Sequence, residues 1–473
     1  MISHSEFRKY AHETVDWIAD YLENIEKYPV KSRVQPKDIY NQLDDSAPEQ
    51  GESMDKIIQD FQNIILPGIT HWQSPNFFAY FPANSSYPSI LAEMLTASLG
   101  AQCMIWETSP AAAELEEKVM NWLKKMLSLP PDWSGVIQDT ASSSTLCALL
   151  TAREKFSDYS INKSGFKGNE KFRIYGSLET HSSIDKGVKI AGFGIENLVK
   201  VDVNENQAMN PDALGRAVKN DIKNGFRPLC VIATLGTTGT TAIDPIKQIA
   251  EICREYNLWL HVDAAFSGSA LILPEYQWMA NGLEMADSFV FNPHKWMFTN
   301  FDCSAYFVKD KNALINTFSI LPEYLITKTT GKVNDYRDWG IALGRRFRAL
   351  KLWFVIRDFG VEGIRNRLRL HIELAKNLEE KISMEENFEL ITKRNFNLVC
   401  FRFCPRSITD EDELNRINEI LLQKLNETGK IFLTHTKVNN KYTIRFVIGQ
   451  TNVTRDHFDR AWRLIRVTAS ILI

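Results

Sequence analysis

The chain has 473 residues, 44% hydrophobic and 24% charged, with a formal net charge of −3. That length supports two or three well-buried domains, and charges of both signs interspersed without a sustained block exclude a polyanion-binding surface and hence nucleic acid as a partner. No window is apolar for the roughly 18 residues of a membrane span, MISHSEFRKYAHETVDW lacks a basic-then-apolar leader, and seven scattered cysteines without a CxxC pair read as reduced thiols, so a soluble, cytoplasmic protein with no membrane partner is expected.

In chain order, Phe7, Tyr10, Ala11, Val15, Ile18, Leu22 and Ile25 recur at helical spacing, and Ser3 with Glu6 suits a capping box. This apolar face has little local partner; a second subunit or the chain's own core would have to cover it. Between Gly135 and Val308, short β-branched or apolar runs alternate with helical stretches. The runs are Gly135–Gln138, Phe172–Tyr175, Leu198–Val203, Pro228–Leu235, Leu258–Val262, Ser288–Phe291 and Ser304–Val308. The alternation predicts an α/β domain, a mostly parallel central sheet with helices on both faces, whose ligands sit at the carboxyl ends of the strands. A long helical region from Arg345 to about Glu386 is interrupted at Gly360 and Gly363. Beyond it Phe396–Phe403 and Tyr442–Ile448 read as strands, the second after an Asn439-Asn440 turn, with helices over 410–426 and 455–467. The expected division is an N-terminal helical arm and dimerisation segment (1–105), a large cofactor-binding α/β domain (106–345), and a helical connection with a small C-terminal α+β domain (346–473).

The chemistry gathers in a few stretches. Lys295 lies in FNPHKW among large apolar neighbours, where desolvation lowers the amine's pKa and favours a neutral nucleophile able to hold an aldehyde cofactor as a Schiff base. A snorkelling structural lysine is the plainer alternative. Asp263, in HVDAA, ends a buried run; beside a pyridine nitrogen its charge is worth roughly 4 kcal/mol at ~4 Å and an effective dielectric near 20, enough to keep the ring protonated. A helix cap or ion pair would use the same carboxylate. In QDTASSSTLCALL a strand runs into hydroxyl-rich residues at a helix start, which suits a phosphate or a simple cap. His181 in THSS can stack on a planar ring or cap a helix, and Thr238 lies in a Gly/Thr-rich turn. A zinc hydrolase built from His261, Asp263, His294 and Cys303 lacks short ligand spacing, so no metal is expected.

HVDAA, NPHKW, NFDCSA, THSS, SPNFFAYFPANSSYPSILAEML, TSPAAAELE and LGRRFRALKLW together resemble the group II pyridoxal-phosphate (PLP) dependent decarboxylases, and within them the aromatic-L-amino-acid decarboxylase branch. The resemblance runs the length of the chain and is most specific from Ser74 to Trp353. It implies a fold-type I PLP enzyme and a homodimer with a shared active site. It further implies Lys295 as the Schiff-base lysine, Asp263 as the partner of the ring nitrogen, His181 as the stacking imidazole, and Thr238 near the cofactor. Ala141, Ser142, Asn292 and His294 are implied around the phosphate. Histidine at 294 favours the aromatic branch, since a serine usually stands there in the histidine decarboxylases. The family's mobile loop matches 322–339 and implies Tyr324 as proton donor to the substrate carbon. Tyr80, Phe81 and Pro82 are implied at the substrate, with Gln102 and Met104 reaching across from the other subunit. The implied reaction is decarboxylation of an aromatic amino acid (tryptophan, phenylalanine, tyrosine or dihydroxyphenylalanine) to the arylalkylamine. The alternatives are an aromatic acetaldehyde synthase and a decarboxylase of another amino acid.

Overall fold

The computed structural model describes residues 2–168, 170–320 and 332–472. Two compact units emerge, one of residues 83–372 with 392–398, the other of residues 1–82, 373–391 and 399–473.

The first unit is built on a seven-stranded sheet: β1 (Ser134–Gln138), β2 (Phe172–Ser177), β3 (Leu198–Val201), β4 (Arg227–Thr234), β5 (Trp259–Asp263), β6 (Ser288–Phe291) and β7 (Ser304–Val308), in the order β1-β7-β6-β5-β4-β2-β3. All seven runs expected from the sequence are present. Strands β2 to β6 pair in parallel, and β7 is antiparallel to both neighbours, which leaves β1 pointing the same way as β2 to β6. The carboxyl ends of six strands therefore share one edge. β5 and β6 are buried at every position, as expected of strands covered on both faces. Helix Ala141–Phe156 packs along β4 to β7 and buries Leu146, Cys147, Leu149 and Ala152 in the main core. The α/β, fold-type I expectation holds.

The second unit carries a four-stranded sheet, β10-β11-β9-β8, of β8 (Phe388–Leu390), β9 (Leu398–Phe403), β10 (Thr434–Val438) and β11 (Lys441–Val447). Helices Glu411–Glu427 and Arg455–Ser470 accompany it, and the Phe388, Phe401, Phe403 and Trp462 rings pack together. β10 and β11 form a hairpin about Asn439 and Asn440, both at positive φ (50° and 64°), the conformation a two-residue type I′ turn requires. Helix His4–Glu23 has the expected capping box from Ser3 and Glu6. None of its residues is buried, and Phe7 is 60% exposed. Trp17 nevertheless packs edge-on against Phe61, and Tyr10 donates to Asp55 at 2.9 Å.

Candidate active site

The strand ends deliver the candidate residues to one edge of the large sheet. Asp263 is the last residue of β5, level with Thr234 of β4 and Val290 of β6. His181 follows β2, Thr238 follows β4, and Asn292 to Lys295 follow β6. Ala141 and Ser142 open helix Ala141–Phe156 just after β1, with Thr140 as its N-cap accepting from the Ser143 N–H. The first N–H groups of such a helix have no partner within it and point at the strand edge, where they can hold an anion.

Lys295 sits in a single helical turn, Pro293–Trp296, held on every side. Asn292 N–H donates to Ala265 O at 3.0 Å, and Asn84 donates from its backbone to His294 O (3.0 Å) and from its side chain to Lys295 O (2.5 Å). Trp296 stacks on Phe266 and donates its indole N–H to His371 at 2.9 Å. The apolar neighbours that the sequence placed around the lysine thus serve as its anchor. Burial pushes the Lys295 amine below the ordinary lysine range, and the Asp263 charge opposes that shift only in part. A neutral, nucleophilic amine is favoured.

His181 lies in the same electrostatic neighbourhood. Burial lowers its pKa, Asp263 raises it, and Lys295 lowers it further. Its Nδ1 accepts the Ser183 N–H at 3.1 Å, which leaves the proton of the neutral ring on Nε2. His294 is likewise neutral: burial and the Lys295 charge push its pKa down to about 3, and its Nδ1 accepts the Cys303 N–H at 2.8 Å. His261, pushed down to about 4 by burial, spends both ring nitrogens on Thr145 (3.1 Å) and Ser288 (2.9 Å). Two of the four residues of the zinc alternative, His261 and His294, thus have ring nitrogens engaged in hydrogen bonds within the protein.

Of the remaining candidates, Gln102 uses its Oε1 to accept the Arg345 N–H at 2.7 Å, and Met104 O accepts from Arg337 N–H at 2.8 Å. Tyr80, Phe81 and Pro82 belong to the other compact unit. There Tyr80, at φ 50°, stacks on Trp72 at 5.6 Å, and Phe81 lies under the Arg445 guanidinium. Tyr324 lies outside the described residues. Sequence reasoning missed Asn84, whose role is visible only as a contact across 211 positions, and Arg337. The latter's guanidinium is 1% exposed and meets only Asp338, at 3.3 Å, among the described residues. A buried cation with unused donors beside the Met104 segment suits an anionic group, and nothing local in YRDW signals it.

A PLP-sized group fits what is present: a desolvated amine, a carboxylate at a strand end, a helix N-terminus, and Asn292, 2% exposed, whose Oδ1 has no partner among the described residues. The comparisons agree. The pyridoxal-dependent decarboxylase conserved domain matches residues 36–404. The chain is 44% identical over 489 residues to a phenylacetaldehyde synthase of Petunia hybrida, covering all of this chain and 96% of that one. Among solved structures it resembles Catharanthus roseus tryptophan decarboxylase in complex with L-tryptophan, with TM-score 0.94, 39% identity, and 100% and 99% of the two chains covered. It also resembles Oryza sativa TDC with PLP and tryptamine, with TM-score 0.96, 34% identity and the same coverage. On these grounds the chain belongs to the pyridoxal-dependent decarboxylase family, with pyridoxal phosphate as its cofactor.

Proposed function

We propose that the protein removes the α-carboxylate of an aromatic L-amino acid and releases the arylalkylamine and CO2. One observation carries the reading: the Lys295 amine, desolvated and within the field of Asp263, in a chain 39% identical along its whole length to a tryptophan decarboxylase. Pyridoxal phosphate, when bound, supplies an electron sink for the bond to the departing carboxylate. Lys295, its amine pKa lowered by burial, would be the nucleophile that holds the cofactor's aldehyde. Asp263 keeps a proton on the ring nitrogen. The Ala141 and Ser142 N–H groups, with Thr238, Asn292 and His294, hold the cofactor and its phosphate. His181 would stack on the cofactor ring and could offer its Nε2–H to the substrate carboxylate. Tyr324, outside the described residues, would then deliver a proton to the α-carbon.

Tyr80, Phe81 and Pro82 shape the pocket for the aromatic ring, and Gln102 and Met104 serve the active site of a second subunit. A homodimer in the cytoplasm is part of the same reading, with segments 1–105, 106–345 and 346–473 acting as dimerisation arm, cofactor-binding body and C-terminal domain. The exposed Phe7 and Val15 of helix His4–Glu23, and Leu91, Leu95 and Leu99 of helix Tyr87–Leu99, support an arm that docks on a partner. Competitive turnover of tryptophan, phenylalanine, tyrosine and dihydroxyphenylalanine, with glutamate and histidine as controls, tests the substrate class; preference for glutamate overturns it.

A second reading, an aromatic acetaldehyde synthase, is favoured by the 44% identity to the Petunia enzyme. Tyrosine at position 324 argues for the amine, because a phenolic proton donor intercepts the carbanion before oxygen does. Amine as product without peroxide excludes the synthase.

A further inference from the structure

We propose that a cavity of about 480 Å³, separate from the Lys295 turn, is an effector site for a small aromatic oxyanion, a phosphate or carboxylate carried on a single ring. The first turn of helix Ile246–Glu255, the stretch Pro274–Ala280 and residues 392–395 enclose it, and its volume lies within the range of small-molecule sites.

The charge of its wall is one-sided. Lys247 and Lys393 both line the cavity, and among the described residues neither has an ion-pair or hydrogen-bond partner. The one acid in the wall, Asp244, is buried, and its two oxygens are taken by the N–H groups of Met209 and Thr234, each at 2.7 Å. It is turned into the protein and does not neutralise the lysines. The N-terminal turn of the 246–255 helix adds a favourable dipole for an anion. Both lysines line the same concave wall, so an oxyanion seated there would meet two cations with no competing partner among the described residues. The ring requirement comes from Trp278, whose indole also lines the cavity and is 61% exposed, an apolar platform left open to solvent.

The cavity has a route to the cofactor side. Its wall includes Thr240 and Asn395. Thr240 Oγ1 meets Thr237 Oγ1 at 3.2 Å, and the Asn395 side chain donates to Thr241 O at 2.8 Å. Both therefore brace the 237–241 turn that carries Thr238. Thr241 sits at φ 58°, costly for a β-branched residue, so the turn depends on such bracing. An occupant touching Thr240 and Asn395 shifts the turn and with it cofactor retention; this coupling rests on the reading of Thr238 as a cofactor-side residue, whereas binding itself does not.

Titration calorimetry of the holoenzyme with phenyl phosphate is expected to show one saturable site per chain, at least tenfold weaker in the Lys247→Gln/Lys393→Gln double variant. Inorganic phosphate is expected to bind at least tenfold more weakly than phenyl phosphate. Absent saturation, or unchanged affinity in the double variant, overturns the site; equal affinity for the two probes overturns its aromatic character. Phenyl phosphate should also change the rate of cofactor release, followed by visible absorbance, severalfold in the parent and not in the double variant. Binding with unaltered release overturns the effector role.

Discussion

In the proposed reading, a single hydroxyl at Tyr324 decides which product leaves. Tyr324→Phe removes the proposed proton donor without altering the buried lysine, so the variant is expected to divert most turnover from amine to aldehyde with peroxide. Unchanged amine yield would remove Tyr324 from its role. Asp263→Asn keeps size and shape but deletes the charge proposed to hold a proton on the cofactor ring, and kcat is expected to fall about a hundred- to a thousandfold. An intact visible band at lower intensity would accompany it, and wild-type kcat would count against the assignment. The same Asp263 charge acts on both Lys295 and His181, so the variant's pH profile should move as well. Lys295 and Asp263 were legible in the sequence because charged residues are scarce in apolar runs, whereas Tyr324 was marked only by the family resemblance. Asn84 and Arg337 were not legible, since an asparagine in PANSS gains meaning only from a contact made far along the chain and nothing in YRDW signals that its arginine is buried.

Among elements, helix Pro110–Met126 is tied to β1 and to the stretch around Arg345 through one buried ion pair. Arg345 meets both Glu116 oxygens, at 3.0 and 2.6 Å, and donates to Ile137 O, while Glu116 accepts the Ile137 N–H. Both side chains are nearly inaccessible. Glu116→Ala strands the guanidinium in the core, and a loss of about 3–5 kcal/mol is expected, read as a lowered Tm of the holoenzyme; a Tm within a degree of the parent would show the pair to be dispensable. The strand runs of the large sheet could be read because strands buried on both faces have dense apolar signatures. β8 and β10 escaped: β8 is three half-buried residues and β10 alternates charged and polar positions, so their pairing partners, not their composition, make them strands. The interruption expected at Gly360 and Gly363 is real at Gly360, where φ is 63°, while Gly363 continues the helix.

For the molecule as a whole, acid stability depends on imidazoles folded in their neutral form. His261, pushed down to about 4, resists a proton that the unfolded chain accepts near pH 6.5. Between those values the unfolded chain binds more protons, so this contribution is lost as pH falls through the window, about 2 kcal/mol by pH 5. His294 acts in the same direction. Asp244 opposes them: burial raises it to about 6, so it favours the folded state on the acid side and loses that advantage as pH rises. Comparing Tm at pH 7 and pH 5 for the parent and His261→Asn isolates the first effect. The parent is expected to lose about 2 kcal/mol more than the variant, and equal losses would show that His261 does not carry it.

The amino-acid order by itself determined the α/β character, the seven strands to within two residues at each end, and the identities of a lysine, an aspartate and a histidine suited to an aldehyde cofactor. All of these are written locally, in apolar periodicity and in side chains that burial makes costly. Only the tertiary structure decided that β7 runs against its neighbours, that six strand ends share one edge, and which ring nitrogen of His181 and of His294 accepts a hydrogen bond. Those outcomes arise from pairing and desolvation in the folded chain, some between distant residues such as Ser134 and Val308 and some between near neighbours such as His294 and Cys303, and the free energy that selects them appears only once the chain has closed on itself.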